Sequence, residues 1–137
     1  MSLERFIDAQ ARIWPTPLEE IRAGRKRTHW MWFVFPQLRG LGRSPTAEHY
    51  GIADIAEARD YLTHELLGAR LKEISGALMP HRGTPARAIF GPVDTLKLRS
   101  CMTLFRATGD GSVFDNVLAA FFDGHACDTT LEMIGEG

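Results

Sequence analysis

Apolar residues recur along the chain at spacings of three and four, the period of an amphipathic α-helix. Leu98, Cys101 and Phe105 follow this spacing, and so do the apolar residues between positions 114 and 122. Alternating apolar and polar positions, which would indicate half-buried strands, are nearly absent. The pattern therefore predicts an all-α fold, a single domain over residues 1–137 with six to eight short helices.

Residues that favour helix ends divide the chain into these short segments. Helix starts are predicted where a side chain can cap the first turn, at Ser2, Thr16, Ser44, Asp54, Thr63, Thr84, Asp94, Ser112 and Asp128. Helix ends are predicted where glycine interrupts the pattern, at Gly24, Gly91, Gly109 and Gly124.

One segment, residues 30–35 (Trp-Met-Trp-Phe-Val-Phe), is apolar on every side. It lacks the alternation of a half-buried strand and the polar face of a surface helix. Thr28 before it and Pro36 after it fit a short helix of two turns. We therefore expect a buried aromatic helix at the centre of the fold, with Gln37 as a candidate acceptor for an indole N–H.

The composition is that of an ordinary folded domain, with 45% hydrophobic and 24% charged residues in 137. No apolar run reaches the ~18 residues of a membrane span, and the first residues do not resemble a secretory signal. Two cysteines are too few for a disulfide framework or a cysteine-ligated zinc site. We expect a cytoplasmic protein with no metal, no cofactor and no membrane association. The sequence has no recognisable catalytic motif, so whether it is an enzyme stays open.

Positive charge is concentrated in one part of a chain whose net charge is −1. Residues 21–47 contain no acidic residue and six basic ones, namely Arg22, Arg25, Lys26, Arg27, Arg39 and Arg43. Such a segment either attracts anions or forms a solvated basic surface. Because the rest of the chain is acidic, we expect no binding of duplex DNA or RNA as a main function.

A candidate anion site lies within this basic segment. Glycines let a backbone approach a ligand closely, and arginines offer forked donors to phosphate or carboxylate. We expect a small phosphate- or carboxylate-bearing ligand between residues 25–29 and 39–44, with Trp30 or Trp32 as a flat face and His29 as the one candidate acid or base. The predicted ligand-binding residues are Arg25, Lys26, His29, Trp30, Trp32, Arg39, Gly40, Gly42, Arg43, Ser44, Lys97 and Arg99.

Each of these features also has a purely structural explanation. Gly40 and Gly42 could form a turn between helices, and both tryptophans could be core residues. Lys97 could pair with Asp94 three residues earlier. The alternative function is a protein-interaction module that docks an acidic partner through the basic segment.

The segments THWMWFVFPQ (residues 28–37) and RGLGRS (residues 39–44) resemble the signature of a widespread bacterial family of unknown function. Its members are compact all-helical proteins that are often labelled "calpastatin" in genomes. Further similar segments are residues 50–52, 57–64, 97–100, 103–105 and 114–122. The resemblance implies the all-α fold and carries over no activity or site. Calpain inhibitors of that name are disordered, whereas this composition can bury a core.

Overall fold

The computed structural model describes residues 2–109 and 111–135, and these form α-helices joined by short loops, without a β-strand. Nine α-helices and one 3-10 turn at Met79–His81 follow one another: α1 Glu4–Ala11, α2 Thr16–Arg22, α3 Met31–Val34, α4 Pro45–Tyr50, α5 Ile55–Thr63, α6 Glu65–Gly76, α7 Ala86–Arg106, α8 Ser112–Phe122 and α9 Asp128–Met133. The all-α prediction is confirmed, and the helix count in the described residues is one above the expected range. None of these helices is long and apolar enough to cross a membrane.

A row of buried aromatic rings joins the helices into one core. Tyr61 on α5 makes an edge-to-face contact with Phe6 on α1, with ring centroids 5.1 Å apart. Its ring also lies 5.4 Å from Phe105 on α7, which in turn lies 5.9 Å from Phe114 on α8. All four residues are fully buried. The long helix α7 thus packs against both α5 and α8 at the centre of the molecule.

The apolar segment at residues 30–35 forms a shorter helix than predicted. The helix α3 has a single turn of four residues, and Trp30, Met31, Val34 and Phe35 are buried on one side of it. Trp32 and Phe33 are half-exposed, so the expectation that every side is buried is wrong. α3 packs against α1 and α4 and leaves the side with Trp32 and Phe33 partly at the surface.

α7 is broken where the sequence predicted a helix end. Gly91 has φ 81° and ψ 168°, which interrupts the helix before Pro92. The helix is kinked at this residue and resumes after it, where the Thr95 hydroxyl donates to the Gly91 carbonyl oxygen at 2.6 Å. Asp94 therefore lies inside the second part of α7 and does not cap it, contrary to the prediction. Its carboxylate instead binds two lysines.

The remaining predicted helix starts fall within two residues of observed ones, although the capping side chain differs in places. The Ser44 hydroxyl accepts from the Ala47 N–H at 3.1 Å, and the Asp54 carboxylate caps α5, as predicted. α6 is capped by the ring of His64 and not by Thr63. Among the described residues, no side chain caps α1, α2, α7, α8 or α9, so the caps predicted for these helices are wrong, namely Ser2, Thr16, Thr84, Ser112 and Asp128.

Candidate functional site

Residues 25–29 of the predicted basic segment form a bend after α2. The carboxylate of Glu20 holds this bend through hydrogen bonds. Glu20 on α2 accepts from the backbone N–H groups of Arg27 (2.8 Å) and Thr28 (3.1 Å). It also accepts from the Thr28 hydroxyl at 2.7 Å and from the indole N–H of Trp30 at 2.9 Å. These four hydrogen bonds fix the path of the segment, which we call the basic bend. The acceptor for Trp30 is therefore Glu20, and not Gln37 as predicted.

These hydrogen bonds keep Glu20 ionised. Burial alone raises the pKa of this carboxyl, but the donors on Arg27, Thr28 and Trp30 outweigh it and lower the pKa to about 2. At neutral pH the bend thus donates its hydrogen bonds to an ionised carboxylate. In the sequence, Glu20 is one of several acidic residues on a helix, and nothing local sets it apart.

Two lysines and one aspartate form an ion cluster beside the basic bend. The Asp94 carboxylate lies 2.9 Å from the Lys26 ammonium and 3.2 Å from that of Lys97. The Lys26 ammonium also donates to the Thr28 carbonyl oxygen at 2.7 Å, and only 8% of its side chain is exposed. Burial raises the pKa of Asp94, and the two lysines more than compensate and lower it. The predicted pairing of Lys97 with Asp94 is present, and Lys26 joins it.

The two tryptophans predicted to offer a flat face lie in different environments. Trp30 is 1% exposed and lies 5.0 Å from the Lys26 ammonium, so it has no face open to a ligand. Trp32 is half-exposed, and the Lys97 ammonium lies 3.8 Å from its ring centroid. Lys97 therefore makes a cation–π contact with Trp32. Stacking by a ligand is possible only on the part of Trp32 that Lys97 leaves uncovered.

The predicted glycine loop, residues 39–44, meets the edge of Trp32. A side chain at Gly42 would place its Cβ 2.7 Å from the Cβ of Ala47 and 3.6 Å from the Trp32 ring, so this close approach requires glycine. Gly40 lies instead toward Met133 on α9. The Ser44 hydroxyl is used by its own helix, α4, and Arg43 is exposed.

Arg39 and Arg99 both bind backbone carbonyl oxygens away from the basic bend. Arg39 donates to Glu48 and Gly51 at the end of α4, at 3.1 and 3.0 Å. Arg99 donates to the carbonyl oxygens of His125 (2.8 Å) and Ala126 (3.1 Å), between α8 and α9. These two arginines stabilise helix connections in the structure, and neither contacts the Lys26–Asp94–Lys97 cluster.

Three predicted residues of the basic bend point outward. Arg25, Arg27 and His29 are exposed, and within residues 2–109 and 111–135 their side chains form no hydrogen bond or ion pair. Arg25 and Arg27, with Lys26 between them, line a concavity of about 370 Å³. Residues 2–109 and 111–135 contain no cluster of three or more His, Cys, Asp or Glu side chains that could hold a metal ion.

The structure thus brings together part of the predicted site. A series of contacts runs from the basic bend through Lys26, Asp94 and Lys97 to Trp32, and the loop at Gly42 lies near the Trp32 ring. Trp30 lies under this surface, and Arg39, Gly40 and Arg99 lie apart from it. The carboxylates of Glu20 and Asp94 hold the bend in place, and the sequence alone indicates neither of these roles.

These features define a compact all-helical protein with a buried tryptophan beneath a rigid basic bend. The chain belongs to the family described as "Protein of unknown function (DUF1810)", whose model matches residues 1–134. It is also similar to the conserved hypothetical protein Rv1873 from Mycobacterium tuberculosis, known from a crystal structure. The two chains are 51% identical over 96% of this chain and 95% of that one, with a TM-score of 0.94. No curated protein matches the chain. The expected membership of a bacterial family of unknown function is confirmed.

Proposed function

We propose that the basic bend binds a small anionic ligand that carries a phosphate or carboxylate group. The observation that carries this proposal is the state of Arg25 and Arg27, two exposed guanidinium groups without a partner in the described residues, on a backbone that is already fixed. Guanidinium groups bind such oxyanions through paired hydrogen bonds. Because the bend is ordered before binding, little conformational entropy is lost when the ligand arrives.

The local charge balance supports the same proposal. Arg25, Lys26, Arg27 and Lys97 supply four positive charges, and Glu20 and Asp94 supply two negative ones. The two carboxylates are turned inward, where they accept from the bend and from the lysine ammoniums. The excess of positive charge therefore faces outward at Arg25 and Arg27, where it raises the local concentration of anions.

The proposal is one of binding, in the cytoplasm that the composition favours, and it includes neither a cofactor nor a duplex nucleic acid. His29 ends the bend and is the candidate acid–base residue if a reaction occurs there. Arg43 and the loop at Gly42 are the predicted contacts on the far side of Trp32. Arg39 and Arg99 belong to this proposal only through long-range charge, since both bind backbone oxygens.

The test is a titration of the full chain with inorganic phosphate and with succinate, followed by ¹H–¹⁵N NMR at constant ionic strength. We expect saturable shifts at residues 25–29 and at the indole signal of Trp32. The double variant Arg25→Ala/Arg27→Ala should weaken binding by about tenfold or more, because it removes both charge-assisted contacts. Arg59→Ala is the matched control, since Arg59 is also exposed and its side chain has no partner among the described residues, but it lies on α5.

Two results would contradict the proposal. One is the absence of a saturable shift at millimolar phosphate or succinate. The other is equal binding by the wild type and the Arg25→Ala/Arg27→Ala variant. Arg39→Ala should leave phosphate binding nearly unchanged while lowering stability, because the Arg39 side chain holds the end of α4.

A second candidate function is the docking of an acidic protein segment, as the sequence also suggested. The exposure of Arg25 and Arg27, on an open concavity that residues 25–27 line within the described parts of the chain, favours it. A glutamate-rich peptide distinguishes the two functions in the same titration. Docking predicts that the peptide binds much more tightly than succinate and shifts residues beyond the bend, whereas a small-ligand site predicts similar affinities.

A further inference from the structure

The second part of α7 presents two apolar side chains to solvent. Val93 is 64% exposed and Leu96 is 63% exposed, and no other large hydrophobic residue in the described parts of the chain is as exposed. They are three residues apart on one helix, so their side chains are neighbours on a single ridge. Exposed apolar residues are normal when scattered singly, whereas these two are neighbours and lie beside the ion cluster of Lys26, Asp94 and Lys97.

This apolar ridge lies next to the basic bend. Asp94 and Lys97 follow Val93 and Leu96 by one position each, and so form the adjacent ridge of α7. Lys26 reaches this second ridge through its 2.9 Å contact with Asp94, and its backbone N–H donates to the Ile89 carbonyl oxygen at 2.8 Å. The bend therefore lies beside α7 between Ile89 and Asp94, and the ion cluster of Lys26, Asp94 and Lys97 joins the two.

We propose that the ligand of the basic bend is an amphiphilic anion, with its phosphate or carboxylate group on Arg25 and Arg27 and a short alkyl chain over Val93 and Leu96. This inference rests on the proposed function and adds the chemical class of the ligand. Charge complementarity sets the position of the head group. The alkyl chain is inferred from the exposed ridge, because a chain that covers Val93 and Leu96 removes their apolar surface from water.

The size of the ridge limits the occupant. Neighbouring side chains at this helical spacing have Cβ atoms about 5–6 Å apart, so an alkyl chain of about four to six carbons covers both. Two residues are too small a surface to anchor the protein to a bilayer, which requires a wider apolar face or an added lipid. The proposed occupant is thus a free small molecule and not a membrane.

The probes are ethyl, butyl and hexyl phosphate, titrated into the full chain below their aggregation limits, with inorganic phosphate as the reference. A methylene that contacts protein on one side only should improve affinity about twofold, so hexyl phosphate, with about four more methylenes, should bind about 16-fold more tightly than ethyl phosphate. The double variant Val93→Ser/Leu96→Ser should abolish this dependence on chain length while it keeps the binding of inorganic phosphate. Leu66→Ser is the matched control, because Leu66 is an exposed leucine on α6.

Each outcome decides the matter. Phosphate binding without a chain-length dependence overturns the amphiphilic class and leaves the proposed function intact. A chain-length dependence that survives in Val93→Ser/Leu96→Ser places the tail elsewhere and overturns the inference. Absence of binding by every probe overturns both. The protein could instead co-sediment with anionic phosphatidylserine vesicles and fail to bind hexyl phosphate. That result would identify the partner as a lipid surface and overturn the inference.

Discussion

Replacing Glu20 with glutamine should destabilise the protein in a pH-dependent way. The carboxylate accepts four hydrogen bonds from the basic bend and from Trp30, at 2.7 to 3.1 Å. Glutamine retains one carbonyl oxygen and introduces an N–H₂ group that faces donors. The variant therefore loses the charge and at least part of this set, including a partner for an indole N–H on a buried ring.

The magnitude follows from the pKa of the carboxyl group. Burial raises it, and the donors from Arg27, Thr28 and Trp30 bring it from an ordinary value of 4.5 down to about 2. If fully realised, this difference corresponds to about 3 kcal/mol of stability at neutral pH. Glu20 is partly exposed, and solvent screening reduces the expected loss in Glu20→Gln to about 1–2 kcal/mol.

The sign of the pH dependence distinguishes this effect from a simple packing loss. A carboxyl whose pKa is lower in the folded state stabilises the protein fully above the unfolded pKa. That contribution is lost as the pH falls from about 4.5 towards 2. The stability difference between the wild type and Glu20→Gln should therefore be constant above about pH 5.5 and shrink below pH 4.5.

Urea unfolding followed by far-ultraviolet circular dichroism, at several pH values, measures this difference directly. Glu19→Gln is the control, because Glu19 is an exposed neighbour on α2 whose side chain contacts none of these donors. A stability difference that does not change between neutral pH and the lowest pH at which the wild type is folded would refute the reasoning. Equal stability of Glu20→Gln and the control would refute it as well.

Three further changes test the packing of the fold and the environments of its thiols. Trp30→Ala should lower the free energy of unfolding by about 3–5 kcal/mol and Trp32→Ala by about 1–2, because only the first ring is fully buried; equal losses in urea unfolding would contradict this. Gly68→Ala should cost more than about 2 kcal/mol, since its Cβ would lie 1.9 Å from a backbone oxygen of α5, whereas Gly76→Ala, with open space around it, should be neutral or stabilising in thermal melts. Under native conditions DTNB should modify Cys127 alone, because the other thiol is fully buried; fast reaction of two thiols per chain would contradict this.

The helical architecture could be predicted because its signals are local. A capping residue such as Ser44 or Asp54 acts within three residues of itself, and both cap the helices expected of them. The apolar spacing in the second half of α7 likewise gives its buried face, including Leu98 and Cys101. Asp94 shows where this reasoning fails. Its type and position suit a cap, but two lysines compete for the same carboxylate, one of them from a distant part of the chain.

The candidate site could be predicted only in part, because its contacts join residues that are far apart in sequence. Lys97 reaches Trp32 across 65 positions, and no spacing rule connects them. The burial of Trp30 beside the half-exposure of Trp32 depends on how α3 sits against α1 and α4. Arg39 and Arg99 were predicted as anion ligands because their charge is visible in the sequence. The carbonyl oxygens that they bind at the ends of helices are not.

The charges of the basic segment therefore have two different kinds of surroundings. Arg22 faces Glu73 on α6, Lys26 binds Asp94, and Arg39 binds carbonyl oxygens, so these charges are neutralised or satisfied within the fold. Cations suit such positions, because the last carbonyl groups of a helix carry partial negative charge. Arg25 and Arg27 flank Lys26 on the basic bend. Their side chains form none of the hydrogen bonds and ion pairs that hold the bend to Glu20 and Asp94. An unpaired guanidinium on a fixed backbone adds nothing to the folded core, and its charge is fully available to a ligand. Arg25 and Arg27, and not the number of basic residues in the segment, are therefore the groups that an anionic ligand would contact.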